Sequence, residues 1–218
     1  MSGADAAATP IFVIADDHPM VREALALALR SAFPEAATEL AGSLDETRAA
    51  IERQPATDLV ILDLDMPGMQ GLAGLASLRA AYPTTPIVIV SAAKNPAVMR
   101  QAVEMGAAGF IPKFMPSERI VAAIRAILAG EVWLPEEAQD GVLAPSDAEI
   151  AARAAQLTPQ QHRVLALMAE GKPNKVIAFE MQISEPTVKS HVTEILRRLG
   201  VHSRTQAVIL AQRLGLEP

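Results

Sequence analysis

The chain has no cysteine. That excludes a disulfide scaffold, thiolate zinc centres and cysteine nucleophiles, and it suits a cytoplasmic protein. Aromatic residues make up only 3% of the sequence while half of it is hydrophobic, so the composition is that of an aliphatic, alanine-rich, soluble globular protein. No uninterrupted apolar run approaches the roughly 18 residues of a membrane span. The first ten residues, Met1 to Pro10, lack the basic start and apolar core of a signal peptide. Positive charge is also short, with 19 Lys and Arg against 25 Asp and Glu, net −6, but the deficit is uneven. Residues 1–130 carry 10 basic and 14 acidic side chains, residues 131–156 one and six, and residues 157–218 eight and five. Only the C-terminal piece is cationic, which points to a polyanionic partner there.

What is present divides the 218 residues into parts. The first 130 alternate strand-like runs (11–15, 37–41, 58–62, 86–91, 108–111) with helical periodicity (18–32, 44–53, 70–81, 95–105, 116–129). Such alternation predicts a parallel sheet covered on both faces, with ligands bound outside the carboxyl ends of its strands. Residues 131–156, rich in Pro, Gly and acid, read as a linker with a short helix near 147–155. From Leu157 the pattern is all-helical, at about 159–170, 174–181, 185–199 and 203–214. Gly171 and Gly200 suit left-handed helix ends, Ser184 an N-cap and Pro186 a first turn.

The chemistry collects at strand ends. The run Val60-Ile-Leu-Asp-Leu-Asp-Met-Pro-Gly68 places Asp63 at the mouth of a buried strand, which Pro67 and Gly68 then break. The run Ile11-Phe-Val-Ile-Ala-Asp-Asp-His-Pro19 does the same for Asp16 and Asp17, while the fourth and fifth strands end in Ser91 and Lys113. A carboxylate held there is costly without a partner. Oxygen ligands of this kind suit Mg²⁺, a carboxylate can act as nucleophile towards phosphorus, and Lys113 and Ser91 can engage phosphoryl oxygens. His18 reads as a loop or helix-start residue, and Met66, Met69, Met99 and Met105 as gap-filling apolar side chains.

These residues resemble the receiver domain of two-component response regulators. The resemblance covers roughly residues 10–130 and implies a doubly wound, flavodoxin-like sheet of strand order 2-1-3-4-5. It makes Asp63 the phosphoacceptor, and Asp16, Asp17, Asp63 and the backbone carbonyl of Asp65 the Mg²⁺ ligands. Ser91, Phe110 and Lys113 become the elements that sense the phosphoryl group. Gln70 stands where many relatives carry Asp. Phe114 follows Lys113 where many carry Pro, which leaves the isomer of that peptide bond open.

In the second part, helix 174–181, a turn and helix 185–199 form a helix-turn-helix. Val188, Val192, Ile195 and Leu199 share the stripe that must face a core, so Lys189, Ser190, Thr193 and Arg197 point outward, where a recognition helix meets the major groove. Residues 157–216 resemble the LuxR-type helix-turn-helix of the NarL/FixJ subfamily, although Val176 replaces the acid usual in the run Asn174-Lys-Val-Ile-Ala178. The resemblance implies double-stranded DNA as a partner, with Lys189, Ser190 and Thr193 near bases or phosphates and Lys175, Arg197 or Arg204 as positioning contacts. It further implies a sensor histidine kinase, an active homodimer and a transcription regulator rather than an enzyme. Two alternatives stay open. Asp63-Leu-Asp65 superficially matches the Asp-x-Asp of haloacid-dehalogenase-like phosphatases, though after the third strand and with Pro67 in a place those enzymes fill otherwise. A receiver used only for dimerisation is the other.

Overall fold

The structure is a computed structural model that describes residues 10–128, 131–139, 147–201, 204–213 and 215. Five parallel strands, β1 Ile11–Ala15, β2 Ala37–Ala41, β3 Leu59–Leu62, β4 Ile87–Ser91 and β5 Gly109–Pro112, form one sheet in the order 2-1-3-4-5. Helices α1 Pro19–Ala32, α2 Leu44–Arg53, α3 Leu72–Ala81, α4 Pro96–Glu104 and α5 Ser117–Leu128 make the crossovers. Side chains alternate across each strand, so Phe12, Ile14, Leu59, Ile61 and Val88 face α1 and α5. Val13, Val60, Leu62, Ile87 and Ile89 pack on the other side with residues of α2, α3 and α4.

Local chemistry sets the helix ends. Ser43 and Asn95 cap α2 and α4 through the amides of Glu46 and Ala97, and Pro19 and Pro96 occupy first-turn positions that need no amide donor. The third helix begins two residues later than its periodicity predicts, because Gln70 and Gly71 both adopt left-handed backbone, φ 50° and 63°.

The stretch expected as a linker, 131–156, is structured at both ends. Leu134 and Ala138, one helical turn apart, join the sheet core while Glu136 and Glu137 face water. Together with the short helix α6 Glu136–Gln139 they form a strap against α4. Trp133 makes a parallel bridge to Gly109: its amide donates to Ala108 O at 3.3 Å, and its carbonyl accepts from Phe110 N at 2.9 Å. Gly109 is required there, since a Cβ would lie 2.5 Å from Trp133 O. At the other end α7 Asp147–Ala154 contributes Ile150 and Ala154 to the second core.

That core is all-helical, built from α7, α8 Pro159–Ala169, α9 Asn174–Met181, α10 Glu185–Leu199 and α11 Arg204–Arg213. Thr158 and Gln161 form a reciprocal capping box on α8, and α10 runs from the Ser184 cap to Gly200 at φ 69°. No described helix is long and apolar enough to cross a membrane. His202 and the far end of the expected last helix lie outside the described residues.

Gly74 lets α3 close over the loop that follows Asp63: its amide bonds to Met69 O at 2.7 Å, and a Cβ would also lie 2.7 Å from that oxygen. Gly74→Ala is expected to lower stability by about 1–3 kcal/mol, the usual overpacking cost, and urea unfolding of the two proteins measures it.

Candidate functional site

The sheet register delivers the acids. Ala15 pairs with Leu62 and Ser91 with Pro112, and the ladder continues one residue past the strands. Asp16 N donates to Ala41 O at 3.0 Å, Asp63 N to Ala15 O at 2.8 Å and Lys113 N to Ser91 O at 3.0 Å. Asp16 and Asp63 are each only 1% exposed. The Lys113 ammonium bridges them, with Nζ 2.6 Å from Asp16 Oδ2 and 2.8 Å from Asp63 Oδ2. Burial pulls the Lys113 pKa down, but hydrogen bonds to Asp16 and Asp63 outweigh it and hold the value above that of an ordinary lysine.

One ammonium does not balance Asp16, Asp17 and Asp63. Asp63 Oδ1 is buried and accepts no hydrogen bond. His18 completes the group, its Nδ1 2.7 Å from Asp17 Oδ1 and 3.2 Å from Asp16 Oδ1. One ligand atom from each of Asp16, Asp17, His18 and Asp63 lies within 4.8 Å of the others. A buried carboxylate oxygen left open among acids fits a hard divalent cation such as Mg²⁺. Of the expected ligands, Asp16, Asp17 and Asp63 are brought together. Asp65 is exposed, on a shallow cleft that Ser91, Ala93 and Gln101 also line.

Ser91 is fully buried and its Oγ accepts from Ala93 N at 3.2 Å. Phe110 is fully buried in the core on the α4 side of the sheet. Phe114 is 63% exposed with Lys94 Nζ 5.6 Å from its ring centre, and the bond before it is trans, since no described residue has a cis peptide.

The helix-turn-helix comprises α9 and α10, and Val188, Val192, Ile195 and Leu199 are buried as their spacing predicts. The outward face of α10 does not meet bulk solvent alone. Lys189 Nζ donates to Pro55 O at 2.9 Å and lies 3.5 Å from Glu185. With Thr193 it borders a crevice formed by Ile51, Glu52 and the loop before β4. Arg79, buried in α3, shapes that loop by donating to the carbonyls of Tyr82, Pro83 and Thr85. Burial lowers its pKa to about 10, so it stays charged at neutral pH. Gln206 Nε2 donates to Val103 O at 2.9 Å, a second link between the helical part and the sheet domain.

Ser190 and Thr193 bond to carbonyls one turn back. Arg197 forms a two-pronged pair with Glu194 at 2.6 and 2.7 Å, and together with Arg198 holds that carboxyl down at about 2. Lys175 is exposed on α9. Arg204, expected as a positioning contact, has partners within the protein. Its guanidinium donates to Lys172 O and Asn174 Oδ1, which ties α11 to the start of α9, and burial lowers its pKa to about 10.

Sequence reasoning set His18 aside and missed Arg79, Pro55 and Gln206. The triplet Asp16-Asp17-His18 was the available signal for the first. The others act through contacts between distant segments, which no local pattern announces.

Two family models match the chain. "Response regulator receiver domain" covers residues 12–125, and "Bacterial regulatory proteins, luxR family" covers residues 155–211. The chain is 42% identical over 206 residues to a "Glycerol metabolism activator" of Pseudomonas putida, covering 91% of this chain and 93% of the relative. It is 35% identical over 201 residues to the "Nitrate/nitrite response regulator protein NarL" of Escherichia coli K12, covering 90% and 92%. The solved structure of two RcsB dimers bound to two parallel DNAs matches in fold, with a TM-score of 0.53 at 23% identity, covering 94% of this chain and 99% of that one. A receiver fold followed by a LuxR-type helix-turn-helix, with curated relatives matching about nine-tenths of the chain, places it among the two-component response regulators of the NarL type: it is a phosphorylation-controlled, DNA-binding transcription regulator.

Proposed function

We propose that Asp63 is the phosphoacceptor and that a sensor histidine kinase supplies the phosphoryl group. The observation that carries this reading is Asp63 Oδ1, a buried carboxylate oxygen without a hydrogen-bond partner, held beside a lysine ammonium at the sheet edge. A P–O bond forms at Asp63 as the donor's P–N bond breaks, and the departing imidazole takes a proton from solvent. Asp16, Asp17 and Asp63, with the carbonyl of Asp65, would hold Mg²⁺, which when bound offsets the acids' repulsion of an incoming phosphate. Lys113, freed from its double pairing, neutralises the new phosphoryl oxygens. Ser91 turns from Ala93 N to donate to one of them, and Phe110 follows that movement within the core.

Output belongs to the helical domain. We assign residues 1–130 to the receiver, 131–156 to a connector whose ends dock on the two cores, and 157–218 to DNA binding. Lys189, Ser190 and Thr193 approach bases or nearby phosphates, with Lys175 and Arg197 as positioning contacts. Arg204 serves as an internal brace. That Lys189 and Thr193 face the receiver at Pro55 and the loop held by Arg79 supports reading this arrangement as a closed state. Phosphorylation shifts the balance towards a form in which α10 is free. Acting in the cytoplasm as a homodimer on two-fold DNA sites completes the reading.

Asp63→Asn is expected to abolish labelling by a small phosphodonor with Mg²⁺, read by intact mass. Full labelling of that variant would place the nucleophile elsewhere. Lys113→Ala should still take some label yet lose the phosphorylation-dependent gain in DNA affinity, and a full gain would remove Lys113 from the sensing role. Lys189→Ala should weaken specific DNA binding by about 1–3 kcal/mol if it reads a base, or lower the salt slope by about one unit if it contacts phosphate. Titrations at two salt concentrations separate these, and no change in either would take α10 out of the groove. Arg79→Ala should loosen the loop facing α10 and raise the DNA affinity of the unphosphorylated protein. An unchanged or lower affinity would count against the closed state.

A further inference from the structure

We propose that His18 is a further protein ligand at the acidic site, so that borderline transition-metal ions such as Zn²⁺ and Co²⁺ bind there in competition with Mg²⁺. This rests on reading Asp16, Asp17 and Asp63 as a cation site.

The donor atoms are already sorted. Lys113 takes the Oδ2 atoms of Asp16 and Asp63. Asp63 Oδ1, on a side chain with no exposed surface, has no hydrogen-bond partner. His18 Nδ1 is in contact with both Asp17 Oδ1 and Asp16 Oδ1. Two atoms bound to one ion at about 2.0–2.2 Å lie at most roughly 4.4 Å apart. The donor atoms of Asp16, Asp17, His18 and Asp63 lie within 4.8 Å of one another, and the exposed His18 ring and the partly exposed Asp17 side chain can supply the contraction that one ion would need.

The imidazole is well mounted for this. The His18 amide donates to Asp16 Oδ1 at 2.8 Å, and its carbonyl accepts from Val21 and Arg22, each at 3.1 Å. The backbone is therefore fixed to the site and to the start of α1. The ring itself is 64% exposed and makes no capping bond to the helix, so it is free to turn. The neutral imidazole would bind the ion through the lone pair on Nδ1, with its ring proton on Nε2.

The chemistry then separates the metals. Mg²⁺ takes oxygen donors, keeps several waters and has little use for an imidazole. Zn²⁺ and Co²⁺ take nitrogen readily and stand higher in the Irving–Williams order, Zn²⁺ below its Cu²⁺ peak. Three carboxylates without His18 form a site for a hard ion, whereas three carboxylates with His18 form a site of mixed donors.

The test uses the full chain. MgCl₂ and ZnCl₂ are titrated separately by calorimetry into the wild type, His18→Ala, His18→Asn and Asp17→Asn. Cu²⁺, a borderline ion with unpaired spin, is added for pulsed EPR, which detects a directly bound nitrogen. His18→Asn provides a side chain able to cap α1, so both His18 variants losing the same property rules out a folding effect. Loss of a partner outside the ligand sphere typically weakens a site 10–100-fold, so loss of a ligand should weaken Zn²⁺ binding by at least about tenfold in both variants. Mg²⁺ affinity should change less than about threefold, and the nitrogen coupling should vanish. Asp17→Asn should weaken both ions. Equal Zn²⁺ affinity with and without His18, or no nitrogen coupling in the wild type, overturns the proposal while leaving Mg²⁺ binding intact. A wild type that binds no Mg²⁺ overturns the underlying cation-site reading instead.

Discussion

The receiver is organised around a charge problem that its own side chains leave unsolved. Asp16 and Asp63 are buried at adjacent strand ends because the ladder carries their amides one residue beyond the sheet. Burying carboxylates together is unfavourable unless cations sit between them. Lys113 spans the pair and is itself held charged by it, yet it does not reach Asp17, whose neighbour is His18, and one oxygen of Asp63 has no hydrogen-bond partner. This residual imbalance leaves an acidic pocket that fits a divalent cation. Among the described residues, Lys113 is the basic side chain that pairs with both acids.

The partner surface lies at the opposite margin of the same sheet. Pro55, the loop clamped by Arg79 and the carbonyl of Val103 all precede strands, and they meet Lys189, Thr193 and Gln206. A strand of four or five residues rises about 13–17 Å, so the two margins are too far apart for direct electrostatic contact. Communication must pass through an element that touches both. The helix α4 begins just beyond the loop after Ser91 and ends next to the Val103 carbonyl that Gln206 engages. Its position is set by packing against β5 and the strap.

The parts legible in the sequence share a simple cause. Buried parallel strands read as unbroken apolar runs, and turn chemistry marks where they stop, so the five strands and the groups at their ends could be placed from pattern alone. Ser184, Pro186 and Gly200 likewise delimit α10 because capping is local. The strap escaped for the opposite reason: in a stretch dominated by Glu and Asp, the apolar pair Leu134 and Ala138 spans one turn, too short for periodicity to register. Lys189 was correctly placed on the outward face of α10, but what that face meets depends on how two separately folded units dock. Arg204 was expected to contact DNA, and its bonds to Lys172 O and Asn174 Oδ1 become visible only when α11 and α9 lie side by side.

The bridge between Gly109 and Trp133 has a consequence for life at high concentration. A five-stranded open sheet has two raw margins, each a template for pairing with a neighbouring chain. Trp133 occupies the amide and carbonyl positions along β5, closing one of them. The other margin, β2, carries Glu39 paired to Arg53 at 2.8 Å, and charge on an edge strand disfavours sheet-to-sheet growth. The two margins are thereby kept from joining copies of the chain through their sheets.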